Sequence, residues 1–402
     1  MRPIITSLLD IDYYKLTMAQ LAFTFFRQIP VTFGFKNRTK TVSLPKFIKE
    51  KDLRKQLEMA RAINGVTEEE AEYLLNIGFS GKFVLFLTTL RLPDYKLTTT
   101  ESGYEITFSG FWPEVTFWET ICLDIVNELY YRTLLKNMSR AQRMAVYAEG
   151  RQRLEKKIRT LEENPEIRFL EFATRRRFNR QQQEYVLTRL IRRVPNQIIG
   201  TSNVKLAMKY GIKAVGTFAH EMYMIFSGIF REDLRDSHNK VLQYWWEFYG
   251  WPLSTALTDT YGSDFFFRDM TPEQARNWRG LRQDSGDPVE FGEKAIAFYE
   301  RIGIDSRTKT IVFSDGLDVE KIVMLHNHFK GRTMALFGWG TDLSNDMGIA
   351  PLSLVVKATE ANGHSLVKLS DNVAKAMGRP EDIKLFKQVF GYDTNFSEEC
   401  RY

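Results

Sequence analysis

Cysteine is scarce in this sequence: there are two, Cys122 and Cys400. They lie far apart, and neither has a Cys or His at ligand spacing, so no disulfide framework or zinc site is expected and a reducing compartment fits. Long apolar runs are also missing. No stretch approaches the ~18 consecutive apolar residues of a membrane-spanning helix. Asp10 and Asp12 break the apolar start before a secretory core could form. The expected location is therefore cytoplasmic, with no membrane partner. Standard nucleotide motifs are absent as well. No G-x-x-x-x-G-K-[ST] occurs, and Gly338-Trp339-Gly340 lacks the third glycine of a dinucleotide loop. His220-Glu221 has no second His at the zinc-protease spacing. His326 and His328 are two apart, do not share a helix face, and read as surface polar residues.

What is present is ordinary globular composition, 44% hydrophobic and 26% charged over 402 residues, which suits two domains. The net charge is +6, and the excess is local: Arg140 to Arg193 holds 15 Lys or Arg against 7 Asp or Glu. Such a stretch suits a polyanion, or a solvated helix face laced with i,i+4 ion pairs. RNA binding would need aromatics interleaved with the basic residues; Tyr147, Phe169 and Phe178 are too few, and no nucleic acid partner is expected.

Residues 1–140 read as an α+β N-terminal domain. Helices are expected over Tyr13 to Phe26, from Thr67 onward and over Glu119 to Leu135, with a strand at Val31 to Phe35 and a meander over Lys96 to Trp118. From 141 to 359 the pattern changes. Eight short apolar segments, each with a polar or Gly exit, alternate with helical stretches: IRFLEFA, NQII, KAVG, STAL, GLRQ, TIVF, MALFGWG and LSLVVKA. Alternating strands and helices argue a parallel sheet, and eight units argue a barrel, irregular here because the spacing is uneven. An open doubly wound sheet is the alternative. Asn362-Gly363 is a hairpin signal, and the tail, 360–402, is expected to rejoin the first domain.

Function in such a fold sits where the strands end. Asp284-Ser285-Gly286-Asp287-Pro288 follows GLRQ. Asp287 suits an N-cap and Pro288 the first helical position. Arg282 and Asp284 stand together at the strand end, where a carboxylate can hold sugar hydroxyls and an arginine can pair with phosphate. Of Arg175, Arg176 and Arg177, at least one is expected to face outward as a plain surface charge and at least one to enter the strand-end cavity. The glycines of Gly338-Trp339-Gly340-Thr341 free backbone N–H groups for phosphate. His220 follows a strand, with Glu221 placed to orient it.

Taken together, LLDIDYYKLTM, FATRRRF, IIGTSN, GTFAHE, GLRQDSGDPVEFGEKAI, VFSDGLD, FGWGTDLSND and VVKATEANGHSLVKLSD resemble the nicotinate phosphoribosyltransferase family, closest to its bacterial form, over nearly the whole chain and in the family's order. The resemblance implies an α/β fold of the type II phosphoribosyltransferase kind: an irregular α/β barrel with an α+β N-terminal domain. It implies transfer of phosphoribose from 5-phosphoribosyl 1-pyrophosphate to nicotinate, with ATP as co-substrate and Mg²⁺ on the pyrophosphate, at metal ligands left open. It further implies that Asp284 holds the ribose, Arg282 the anionic end of the substrate, and Arg175, Gly338 and Gly340 the phosphates. Tyr14 and Phe172 would sandwich the pyridine ring, with Tyr14 reaching across a homodimer interface. His220 would become a phosphohistidine. Thr174, Ser202, Thr217, Glu221, Ser314 and Thr341 fall within the matched motifs as substrate-binding positions. Ser202 stands where nicotinamide phosphoribosyltransferases, the near rival, carry an Asp. Two departures from the family pattern are Ala173, usually Gly, and Trp339, usually a smaller aliphatic residue.

Overall fold

A computed structural model describes residues 1–101 and 103–398; Cys400 lies outside the described residues. Cys122 is buried and free. Strands are numbered in chain order.

The first sheet is antiparallel. It comprises β1 (Pro30–Asn37), β2 (Tyr95–Thr100), β3 (Gly103–Phe111), β10 (Leu354–Ala361) and β11 (His364–Ser365), in the order β11-β10-β1-β3-β2. β1 alternates buried and more exposed residues, with Val31, Phe33 and Phe35 on the core face. Asn362 and Gly363 both take positive φ, 52° and 76°, as a tight hairpin between β10 and β11 requires. The expected meander is one hairpin, β2–β3, because Trp112-Pro113 ends the strand and opens a short helix.

The second sheet is parallel. Its strands are β4 (Phe169–Glu171), β5 (Ile198–Thr201), β6 (Thr255–Leu257), β7 (Gly280–Gln283), β8 (Thr310–Phe313) and β9 (Met334–Trp339), in the order β5-β4-β9-β8-β7-β6. These are six of the eight expected units. KAVG is not a strand: Thr201 bonds the backbone of Lys213 and Val215, and the Thr217 hydroxyl donates to the Thr255 carbonyl at 2.9 Å. The segment 213–217 thus spans the opening between edge strands β5 and β6, which makes the barrel irregular. LSLVVKA is β10, and it pairs antiparallel with β1 rather than joining the parallel sheet.

The helices begin where the sequence signals them. Thr67 and Glu70 form a reciprocal capping box for the helix Glu68–Asn76, and Asp287 and Asp318 cap Pro288–Arg301 and Val319–Phe329. The basic stretch is an ion-paired face. Helices Arg140–Glu163 and Arg180–Arg193 are joined by Arg189–Glu155 and Arg193–Glu162, and Lys157 reaches Asp346. The tail divides: β10 and β11 complete the first sheet, whereas helix Pro380–Phe390 packs on the barrel side, with Phe390 stacked on Tyr261 at 4.1 Å and 7°. Among the described residues, no helix is long and apolar enough to cross a membrane.

Candidate active site

A cavity of about 800 Å³ opens at the ends of the parallel strands, with β10 of the first sheet contributing Lys357 to its wall. Four of the six strand ends supply a side chain or a bare backbone. β4 is followed by Phe172 and Arg175, β7 by Asp284, β8 by Ser314, and β9 contains Gly338 and is followed by Gly340 and Thr341. Thr217, His220 and Arg282 line the same cavity, as does Tyr14 from the first helix, Tyr13–Phe25.

The rings of Tyr14 and Phe172 face each other, 6.5 Å between centroids and 4° from parallel. That separation is close to twice the ~3.5 Å contact distance between carbon atoms, room for one flat ring between them. Both rings belong to the same chain. The helix carrying Tyr14 is tied to the β5 exit: the Tyr13 N–H donates to the Ser202 carbonyl at 2.6 Å, and Asp12 forms a bridge with Asn203. Within this one chain Tyr14 already lines the cavity opposite Phe172, whereas the resemblance implied a reach across a homodimer interface. Gly216 (φ 142°) backs the slot; a Cβ there would stand 3.3 Å from the Tyr14 nitrogen and 3.5 Å from the Phe172 ring.

The three arginines separate by function of place. Arg175 lies at the edge of the slot, its Nη1 on the Tyr14 hydroxyl and its guanidinium 5.4 Å from the Tyr14 ring. Arg176 also lines the cavity. Arg177 is fully buried, bidentate to Asp10 at 2.7 and 3.0 Å and 3.2 Å from Asp124. None is the plain outward-facing charge the sequence suggested.

His220 opens the helix His220–Ile229 and is 3% exposed. Its Nδ1 meets the Thr260 hydroxyl and its Nε2 the Asp284 carboxylate, both at 2.9 Å, with Asp259 at 3.8 Å. Burial, seconded by the nearby Lys368, pushes the imidazole down to about 4. It is neutral at pH 7, so Thr260 donates to Nδ1 and Nε2–H donates to Asp284. Burial opposes ionisation of Asp284, but His220, Arg282 and Lys368 outweigh it and hold the carboxyl well below its usual range. Lys368, 4% exposed, is pushed down to about 8 by burial, against the pull of Asp259 and Asp284.

Three predicted positions stand elsewhere. Glu221 does not orient His220. Successive residues of a helix point in different directions, and Glu221 turns to Lys15, Trp112 and Thr116. Thr174 and Ser202 are fully buried behind the wall: the Ser202 hydroxyl donates to Asp12 at 2.6 Å, and Thr174 receives from Gln183 at 3.2 Å. Of the two departures, Ala173 is buried with its N–H on Glu171, and Trp339 turns into the core, edge-on to Phe169, rather than offering the cavity a face. Sequence reasoning missed Lys357, Lys368, Asp259 and Thr260. The available signal for the two lysines was a cation inside otherwise apolar runs, VVKAT and LVKLS.

Two family models match: the nicotinate phosphoribosyltransferase (NAPRTase) family over residues 167–394 and its N-terminal domain over 9–127. The chain belongs to the nicotinate phosphoribosyltransferase family. Among solved structures, it is similar to a nicotinate phosphoribosyltransferase from Porphyromonas gingivalis, at 30% identity and TM-score 0.88 over 97% of this chain and 100% of that one. Another of the same name, from Vibrio cholerae, shares 29% identity at TM-score 0.88 over 97% of this chain and 94% of that one. The family's fold thus accounts for both sheets and for the cavity they enclose.

Proposed function

We propose that this chain joins nicotinate to 5-phosphoribosyl 1-pyrophosphate, giving nicotinate mononucleotide and pyrophosphate, and couples the transfer to ATP hydrolysis through a phosphohistidine at His220. The observation that carries the reading is the slot between Tyr14 and Phe172, sized for one flat ring, with a guanidinium at its edge and a carboxylate, hydroxyls and bare glycines at the strand ends beyond.

The pyridine ring would lie in the slot with its carboxylate toward Arg175, an assignment that favours nicotinate over the neutral nicotinamide. This gives Arg175 the role expected of Arg282, and leaves Arg282 to the phosphates with Gly338 and Gly340. As pyrophosphate leaves, C1 of the ribose becomes cation-like and the ring nitrogen bonds to it. The protein's part is to hold the two reactants in line and to stabilise the separating charge. Asp284 would hold the ribose hydroxyls. Phosphorylation forms a bond between a ring nitrogen of neutral His220 and the γ-phosphorus of ATP as ADP leaves. The Nε2 proton has an acceptor in Asp284, 2.9 Å away. Water then attacks phosphorus, breaking the N–P bond and releasing phosphate.

Mg²⁺ takes oxygen ligands, typically one or two carboxylates with substrate phosphates. The residues fit it: Asp284 and Asp315 line the cavity, and the buried Oδ1 of Asp259 accepts no hydrogen bond. When bound, the ion would neutralise the leaving pyrophosphate. A cytoplasmic homodimer is proposed with this reading, on the family resemblance.

The test is one assay with phosphoribosyl pyrophosphate and Mg²⁺, offering nicotinate and nicotinamide separately, with and without ATP. Nicotinate should give product and nicotinamide should not, and ATP should lower the KM for nicotinate. His220→Ala should abolish the linked ATP hydrolysis. Product from nicotinamide alone overturns the substrate, and full ATP coupling in His220→Ala overturns the phosphohistidine.

A further inference from the structure

Beside the site lies a buried charge network that none of the steps above uses. Lys15, the residue after Tyr14, is fully buried and paired with Glu221, the residue after His220, and with Glu119 at 2.5 Å. One oxygen of Glu221 also accepts from the Trp112 indole at 2.7 Å and from the Thr116 hydroxyl at 2.6 Å. Glu119 continues to Lys357 at 2.8 Å, on the cavity wall. Two cations meet two anions, so the network is neutral, and the side chains of Lys15, Glu119 and Glu221 are at most 3% exposed, which makes it stiff rather than exchangeable with water. Burial alone would discharge Lys15, but Glu119 and Glu221 outweigh it and raise its pKa.

We infer that Lys15 and Glu221 are positioning residues that tie the ring slot to His220, so that the charge state of the histidine sets the placing of Tyr14. The inference rests on the phosphohistidine reading above. Neither side chain touches the cavity; each is one residue along the backbone from a group that does. A phosphoryl group on His220 adds about −1.5 to −2 charges at the first turn of its helix, one residue from Glu221. Displacement of that turn is passed through the Lys15–Glu221 pair to the first helix, and hence to Tyr14 opposite Phe172. A link of this kind acts on the affinity for the flat ring, not on the bond-making step.

Removing one partner would strand a buried charge, so the test uses the neutral pair Lys15→Met with Glu221→Gln, which keeps an oxygen for Trp112 and Thr116. Nicotinate KM and kcat are measured with and without saturating ATP. Wild type should show a lower KM with ATP. The double variant should lose at least about three-quarters of that decrease while still forming phosphoenzyme, with ATP-free kcat changed less than about twofold. A variant that keeps the full decrease overturns the link. A wild type that shows neither phosphoenzyme nor any effect of ATP overturns the parent reading and the link together. A second measurement needs no altered core. In wild type labelled with 5-fluorotryptophan, the Trp112 ¹⁹F resonance, assigned with Trp112→Phe, should shift when ATP phosphorylates the enzyme. An unmoved resonance in a phosphorylated sample overturns the inference.

Discussion

At the scale of the residue, the site is governed by which charges burial permits. His220 is kept neutral and Asp284 anionic, so the proposed phosphorylation would find a nucleophilic ring nitrogen in the first and a proton acceptor in the second. Among the cavity-lining groups, Lys368 has a charge within reach of ordinary buffers. It is protonated below about 8 and loses its charge above. The KM for phosphoribosyl pyrophosphate should therefore rise as pH passes upward through about 8. In Lys368→Arg, whose guanidinium stays charged, the rise should move beyond pH 10; a pH series of initial rates measures both. Residue reading from sequence singled out His220, Asp284 and Arg175 because each sits in a motif dense with polar groups, whereas Tyr14 and Phe172 came only with the family resemblance. It missed Lys368 because a lysine between Val367 and Leu369 resembles an exposed position in an alternating strand. It misjudged Glu221 because adjacency in sequence is not adjacency on a helix.

At the scale of the element, caps and strand exits do the positioning. Asp287 caps the helix Pro288–Arg301 by accepting from the Glu290 N–H at 2.8 Å, three residues past Asp284. Asp287→Ala should cost about 1 kcal/mol of stability, read from the urea midpoint, with kcat changed less than twofold. Asp284→Asn should do the reverse, lowering kcat with a near-native midpoint. Element boundaries were legible wherever a local signal existed: the Thr67 capping box, the Asn362-Gly363 turn, Pro288 at a helix start. Partners were not. LVVKATEA has the apolar run and polar exit of a barrel strand, yet β10 pairs antiparallel with β1; hydrophobic pattern reports burial, not which strand lies alongside. KAVG failed for a related reason, since two backbone bonds to Thr201 leave it a bridge between sheet edges rather than a strand of its own.

At the scale of the molecule, the cavity is where the two sheets meet, with Lys357 from one and the strand exits of the other on its wall. A ligand that spans both must stabilise their association. At 100 times its Kd, phosphoribosyl pyrophosphate with Mg²⁺ should add about 2.7 kcal/mol against unfolding. Thermal unfolding monitored by tryptophan fluorescence should shift upward as one transition. A shift confined to one of two resolved transitions would show that the ligand engages a single sheet.

The closure of the first sheet also sets a timetable for synthesis. β1 lies between β3 and β10, and Thr359, whose hydroxyl donates to the Thr32 carbonyl, is made 327 residues after it. At ~5–20 residues per second the ribosome needs roughly 16–65 s to deliver the missing strand. Throughout that interval one edge of β1, with Val31, Phe33 and Phe35 on its apolar face, has no native neighbour. An open apolar edge is a template for pairing with other chains, so the nascent protein, rather than the finished one, is where this fold is most exposed to aggregation.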